Sequence, residues 1–406
     1  MATTSLRPSF TGARTIILFG VSPVRATLYS SARYPNVRYR NGSLVRPIDD
    51  VPGRQLTLGS RSVHTIANSE TKNMRAILVK DGKGPAENLY IGEAPEPALG
   101  EGQVKVQVKA FGLNRAETSQ REGAYPPPPG VTNIIGLEFA GIVAEAGAGS
   151  RWKKGQEVLG LAAGGSYAEY IVVPEGSVMP KPEHLSWAEA GAIPEAFLTA
   201  YQALKLVAEM KEGDHVLVHA GASGVGISAI QLARYFGPKT VTATASSKEK
   251  LDWLLSLPAG ATHVANYRTE DFSEVVKDAT GGHGADVVID MVGQTHWERN
   301  IKAMAADGRM TVLAFMSGNE VPKVNLAPIL FKRLRIQGST LRARDVEYKA
   351  RLVEEFSKVL PDLTGSEGDG KLRVYIHKVH PWNEIVEATR EMEANKNSGK
   401  IVCEVV

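Results

Sequence analysis

Cysteine is almost absent from this chain of 406 residues. The single example, Cys403, rules out an intrachain disulfide and any zinc site built from cysteines. It reads as a small apolar residue on a C-terminal strand. Long hydrophobic runs are lacking too: the most apolar short stretches, Thr15 to Val21 and Val287 to Ile289, fall far below the roughly 18 apolar residues of a bilayer crossing, so no membrane span is expected. Acid is missing at the start, where no Asp or Glu precedes Asp49 while Arg7, Arg14, Arg25, Arg33, Arg38, Arg40 and Arg46 lie among serines and threonines. An Arg- and Ser-rich, acid-poor beginning is the composition of a mitochondrial transit peptide. The expectation is a targeting or disordered leader over 1–72, cleavage between Arg61 and Asn73, and a matrix location, or a cytoplasmic one if the leader does not function. Residues 1–72 hold ten basic and three acidic residues, so a formal net charge of +3 leaves the remainder near −4. A mildly acidic body with no aromatic-basic stripe is not a nucleic-acid binder on bulk charge.

What is present suits a soluble globular protein of two domains: 43% hydrophobic and 22% charged residues, with ample length for two cores. From Met74 onward, short apolar runs broken by Gly and Pro (Ala76 to Val79, Val104 to Ala110, Phe139 to Ala146, Glu157 to Leu161, Ala168 to Val173) predict a small, mostly β domain. Around Pro194 the pattern turns helical, and then strands and helices alternate. His215 to His219, Thr240 to Ala245, Ala285 to Ile289 and Arg309 to Phe315 read as strands. Ser223 to Phe236, Lys248 to Leu257 and Trp297 to Ala306 read as helices. This is a βαβα pattern, which implies a parallel sheet with helices on both faces. Beyond Gly338 comes a long amphipathic helix, Asp345 to Leu360, and a final stretch, Lys400 to Val406.

Chemistry enters at His215 to Ala233, HVLVHAGASGVGISAIQLA. An apolar strand reverses through Gly221, Gly224 and Gly226 into a small-residue helix. A dinucleotide pyrophosphate sits on such a helix N-terminus, where unpaired N–H groups and the helix dipole favour an anion. Gly221 is expected to make the tight turn, the stretch around Ser223, Gly224 and Val225 to let backbone approach phosphate, and Gly226 to let the helix pack on the strand. Ser223 stands where a strict G-x-G-x-x-G has its middle glycine.

Several further stretches, Gly112-Leu113-Asn114-Arg115-Ala116-Glu117, Gln120 to Pro129, Ile135 to Gly141, His219 to Leu232, Leu330 to Arg333 and Met392 to Val402, give the chain from Met74 to its end a family likeness. It resembles the zinc-free quinone oxidoreductases of the medium-chain dehydrogenase/reductase superfamily, the p53-inducible subgroup most nearly. The resemblance implies an α/β chain with a GroES-like β domain over 73–195, completed by 337–406, and a Rossmann doubly wound parallel-sheet domain over 196–336. It also implies NADPH as donor, a quinone or another conjugated carbonyl as acceptor, and pairing of two copies into a homodimer. Asn114 stands where the zinc forms begin with a cysteine, and Leu137 where they carry a ligand histidine, so no metal is expected. Without a Lewis acid to lower a hydroxyl pKa, alcohol oxidation is disfavoured. Reduction of an already polarised acceptor needs chiefly positioning, with reacting atoms at ~3–3.5 Å.

Cofactor choice is read about 20 residues after the glycines, where NAD-preferring folds place an acid. Here the chain has Thr244-Ala245-Ser246-Ser247-Lys248-Glu249-Lys250, in which Ser246 and Ser247 can donate to a 2′-phosphate and a lysine can neutralise it. The resemblance favours Lys250 over Lys248. It also puts Tyr267 beside the adenosine and Phe315 at the nicotinamide end, while Lys400 is expected to reach the phosphates across the cleft. Asp290 and His219 read as structural. Tyr125, between Gly123 and the proline run, matches a tyrosine in the substrate pocket of related quinone and enoyl reductases, where its hydroxyl would orient or protonate the acceptor. Asn114 is assigned a hydrogen bond to a carbonyl or a ribose hydroxyl. Two alternatives stand beside the quinone reductase: a mitochondrial trans-2-enoyl-thioester reductase, and a nucleotide-bound binding module without turnover.

Overall fold

A parallel sheet of six strands dominates the second half of the chain, and its order fixes where a ligand can bind. The structure, a computed structural model, describes residues 72–406, so the leader expected over 1–72 lies outside the described residues but for Lys72. The strands are β1 (His215–Val218), β2 (Thr240–Ala245), β3 (His263–Asn266), β4 (Ala285–Asp290), β5 (Met304–Val312) and β6 (Arg335–Gly338). They run in the order β3-β2-β1-β4-β5-β6, every pair parallel. All residues of β1 and β2 are buried, as expected of strands covered on both faces and built from β-branched and apolar residues. Strand order reverses between β1 and β4, and the crevice outside the carboxyl ends at that point is where open α/β sheets take a ligand.

Helices α1 (Gly224–Tyr235), α2 (Lys248–Ser256), α3 (Phe272–Ala279) and α4 (Trp297–Ala303) connect these strands. Ser247 and Asp271 cap α2 and α3 by accepting from the backbone N–H of Lys250 and Ser273. α4 was expected to continue to Ala306 and the next strand to begin at Arg309. Instead α4 stops at Ala303, because the Lys332 ammonium takes the carbonyls of Ile301, Lys302 and Met304 at 3.0, 3.0 and 2.7 Å, and Met304 opens β5. β5 ends at Val312, where its pairing with β6 stops opposite Gly338, leaving Phe315 beyond it.

The first part of the chain forms an antiparallel sheet. Strand Gln103–Gly112 pairs with Glu138–Ala146 on one side, and with Tyr170–Pro174 and then Lys400–Glu404 on the other. In the last pairing Val402 lies opposite Gly112, so the chain end is a structural strand of this first domain. The expected boundary between 195 and 196 falls inside a helix, Pro194–Tyr201. Leu159, Phe197, Val218, Ile230 and Leu352 belong to one buried cluster, so the two sheets share core through that helix. The C-terminal strand and this helix both carry residues into the seam between the domains.

Candidate active site

At the seam the glycine turn meets the C-terminal strand. Ser223 caps α1, its hydroxyl accepting from Gly226 N–H at 3.0 Å, and is thereby turned toward backbone. The positive φ of the turn lies at Ala220 (47°), not at Gly221. Gly221 is needed for space: a Cβ there would come within 3.0 Å of the Ala243 and Leu254 side chains. Gly226 faces the turn itself, where a Cβ would land on the Ala220 carbonyl oxygen, and Val225 sits partly buried beside it. Over Gly224 lies the aliphatic stem of Lys400, in the space a side chain would take. The turn is therefore a cradle of bare backbone ahead of a helix N-terminus, which fits a dinucleotide pyrophosphate.

Lys400 departs from the expectation that its head reaches the phosphates. Its Nζ donates to Leu113 O and Asn114 Oδ1, each at 2.8 Å, and to Glu138 Oε1 at 2.5 Å. Three N–H donors and three acceptors use up the ammonium, which is buried. The Glu138 carboxylate, fully buried, also accepts from Asn114 Nδ2 at 2.9 Å and from the Glu195 backbone N–H at 2.8 Å. Asn114 is thus spent on Lys400 and Glu138, and its assigned bond to a carbonyl or ribose is replaced by an internal one. Glu117, in the first turn of helix Arg115–Arg121, accepts from Asn114 N–H (2.6 Å), Leu137 N–H (3.0 Å) and Tyr167 OH (2.7 Å). Burial nevertheless raises its carboxyl to about 7.

Tyr125 is positioned from the C-terminal side. Arg342, 4% exposed, donates to Ala163 O at 2.6 Å, Tyr125 O at 3.3 Å and Gln120 Oε1 at 2.7 Å, and its guanidinium lies 5.3 Å from the Tyr125 ring centre. The Tyr125 hydroxyl is half-buried, and desolvation holds its pKa above the usual value, so it stays a donor. A cavity of about 420 Å³ opens between Pro128–Thr132, Ala162–Gly165 and Arg342–Lys349, lined by Arg342 but not by Tyr125. The glycine turn is not part of its lining.

At the carboxyl end of β2, Lys250 Nζ donates to Asn395 O and Asn397 O, both at 2.8 Å. Burial and the nearby Arg115 cation lower its pKa. Arg115, which sequence reasoning did not single out, holds Met392 O at 2.6 Å and Asn395 Oδ1 at 2.5 Å. Two cations from different domains therefore meet one loop, next to the partly exposed Ser246 and Ser247, while Lys248 points away to Asp252. Tyr267 lies just beyond β3, its amide donating to Ala245 O at 3.3 Å and its ring 5.2 Å from that of His296. Phe315 is 57% exposed and packs against Gly293 at the carboxyl edge of β4. Asp290 accepts from Val292 N–H, Gly293 N–H and Asn300 Nδ2, and Asn300 in turn binds His219, which burial holds at about 4 and hence neutral. Both residues are framework.

A bare glycine cradle, a seam between two domains and a cation-lined end of β2 define the class, a nucleotide-dependent oxidoreductase. The family model described as alcohol dehydrogenase GroES-like domain matches residues 100–183, and that described as zinc-binding dehydrogenase matches 224–358. Human quinone oxidoreductase is 30% identical over 78% of this chain and 93% of its own length. The rat synaptic vesicle membrane protein VAT-1 homolog is 30% identical over 80% and 83%. Component PikAII of the Streptomyces venezuelae pikromycin polyketide synthase is 38% identical over 56% of this chain, a stretch that spans only 6% of PikAII. Among solved structures, an NAD-dependent alcohol dehydrogenase superposes with TM-score 0.71 at 32% identity, covering 82% of this chain and 100% of that one. Mycobacterial Rv1454c complexed with NADPH gives 0.71 at 29%, covering 82% and 100%. CurK enoyl reductase gives 0.70 at 28%, covering 82% and 99%. The chain belongs to the medium-chain dehydrogenase/reductase superfamily, among its quinone oxidoreductases.

Lys400→Met leaves Glu138 buried beside Asn114 without a cation, and should destabilise the protein by about 3–5 kcal/mol. Adding Glu138→Gln should recover part of that loss. Chemical denaturation of the single and double variants checks both; a single variant as stable as the parent would remove the lysine from its structural role.

Proposed function

We propose that this protein is an NADPH-dependent reductase that transfers a hydride to a quinone or similar conjugated carbonyl, independently of zinc. The observation that carries the reading is the Lys400 ammonium seated between Asn114 and Glu138, a donor set that offers a fixed cation in place of a metal ligand group. Preference for a phosphorylated nucleotide is supported by Lys250 and Arg115 meeting beside Ser246 and Ser247, with no carboxylate ending β2. When bound, the nicotinamide supplies the hydride. The cradle at Gly221–Gly226 would hold the pyrophosphate, Tyr267 would flank the adenosine, Phe315 would bound the nicotinamide end, and Tyr125 would orient the acceptor carbonyl. A trans-2-enoyl-thioester reductase is the second reading, favoured by the likeness to CurK enoyl reductase.

Two attributes complete the reading. β6 is an edge strand, and next to it Leu326, Leu330 and Phe331 are 66%, 72% and 76% exposed, with no residue of helix Ala327–Phe331 buried. An apolar edge of this kind suits a twofold partner, and we infer a homodimer. The basic leader is inferred to deliver the protein to mitochondria.

With NADPH and NADH against 9,10-phenanthrenequinone and crotonyl-CoA, followed by nicotinamide absorbance, the quinone and NADPH should form the efficient pair. Lys250→Ala should raise KM for NADPH about tenfold and leave that for NADH in place, as expected for loss of one charge-assisted hydrogen bond. Faster turnover of crotonyl-CoA would favour the second reading, and equal efficiency with the two nucleotides would remove the 2′-phosphate assignment. Light scattering should give a dimer mass for the parent and a monomer mass for Leu330→Glu with Phe331→Glu; a monomeric parent would overturn the pairing. Residues 1–72 fused to a fluorescent protein should enter mitochondria, and diffuse fluorescence would refute the targeting.

A further inference from the structure

The seam holds a second acid that the reading above leaves idle. Glu195 stands in the first turn of helix Pro194–Tyr201, the element packed between the two sheets. Its backbone N–H is tied to Glu138 Oε2 at 2.8 Å, which fixes where the side chain starts, while its own carboxyl has no hydrogen-bond partner among the described residues. The residue is partly exposed, so the carboxyl is reachable. Charged groups face it from every neighbouring element: Glu138 and Lys400 from two strands, Glu117 and Lys349 from two helices, and Arg342 and Tyr125 from the acceptor side. Glu195 thus lies between the Lys400 cluster, which touches the glycine turn, and Tyr125 with the Arg342 guanidinium over its ring.

We propose that Glu195 is the general acid of the reaction, handing its proton to the acceptor oxygen as the hydride arrives. The inference rests on the reductase reading. In the step, the conjugated system takes up a hydride from the reduced nicotinamide, and the electron pair displaced onto the carbonyl oxygen takes the proton as the Glu195 O–H bond breaks. The acceptor gains two electrons and two hydrogens, the nicotinamide is oxidised by two electrons, and the carboxylate regains its proton from water. The geometry supplies what such an acid needs: a carboxyl without a hydrogen-bond partner among the described residues, rooted on a rigid helix and partly exposed at the seam. Its environment also keeps the proton in place. Desolvation, then the Glu138 and Glu117 charges, raise it to about 8 against the pull of Lys400 and Lys349. The helix N-terminus favours the anion, and burial outweighs it. Lys400 cannot serve instead, since its three N–H groups are committed.

The test pairs a readout independent of turnover with kinetics. In the nucleotide-free protein, infrared difference spectra should show a protonated-carboxyl band that persists at neutral pH, fades as pH rises through about 8, and is missing from Glu195→Gln. In turnover with NADPH and phenanthrenequinone, kcat should be flat below that pH and fall above it, because the protonated form is the active one. Glu195→Gln should lose about 100-fold in kcat together with the inflection, while equilibrium dialysis shows NADPH bound as in the parent. The loss should be larger for a conjugated enone than for a quinone, because an enolate oxygen is more basic than a hydroquinone anion. A Gln variant within about twofold of the parent with the same pH profile, or a Glu195 already ionised at neutral pH, overturns the proposal. Should Glu195→Gln fail to fold, Glu195→Asp serves: it keeps the band and loses kcat if the reach of the acid matters, and unchanged kcat and pH profile count against it. Failure of the parent to bind NADPH would sink the reductase reading, and the infrared titration would still report on the acid.

Discussion

One buried ammonium holds the seam together. Lys400 is separated from Glu138 by 262 residues of chain, yet its head completes the hydrogen bonding of Leu113, Asn114 and Glu138 while its stem lies across Gly224. Backbone repeats the link, with Gly399 N–H donating to Ala222 O at 2.8 Å. The first domain, the glycine turn and the chain end are therefore fixed relative to one another by a single short segment. A cation removed from water is tolerated there because each N–H has an acceptor and one of those acceptors is a carboxylate. Gly224 is consequently required for the room the lysine stem occupies.

Burial, with the charges around that lysine second, decides which acids keep their protons. Glu138, Glu117 and Glu195 converge on it, three carboxyls for one cation. Glu138 takes the closest contact, and the other two are pushed up, Glu117 to about 7 and Glu195 to about 8, burial being the larger cause in each. Their partners then separate their roles. Glu117 is locked by two backbone amides and Tyr167, so its oxygens are committed to holding the Asn114 and Leu137 turns. Glu195 is bound through its backbone alone.

Local features were legible in the sequence and long-range ones were not. The strand, glycine turn and helix at His215–Tyr235 could be read because all the signals sit within one window, although the sense of the turn was misplaced: Ala220 takes the left-handed conformation and Gly221 answers a packing need set by Ala243 and Leu254. β6 was missed because Arg-Ile-Gln-Gly is short and largely exposed, with no alternation to betray a strand that only pairing with β5 creates. α3 carried a readable signal, Asp271 before an amphipathic run, that was passed over. The extent of α4 depended on Lys332, about 30 residues away, and no local propensity encodes that. For the site, residue types at Tyr125, Asn114, Lys250 and Lys400 stood out, but the direction of each head group did not. Whether Lys400 faces phosphate or Glu138 is decided by which carboxylate the fold buries beside it.

That direction has a chemical consequence. An ammonium with every donor spent inside the protein cannot lend a proton or a free hydrogen bond to an acceptor carbonyl, so what it offers the seam is a fixed positive field. Such a field steadies charge without polarising a particular bond as a metal ion would. On the proposed reading, the acceptor must then bring its own electrophilicity, as a quinone or conjugated carbonyl does. The proton must come from a group that is neutral and reachable, and the partly exposed acids of the seam, Tyr125 from the loop and Glu195 from the helix, meet that description. Tyr125 is held from behind by Arg342, which keeps its ring in place while burial keeps its hydroxyl protonated. Glu195 is the stronger acid of the two and therefore the better matched to an oxygen that becomes basic only as the hydride lands.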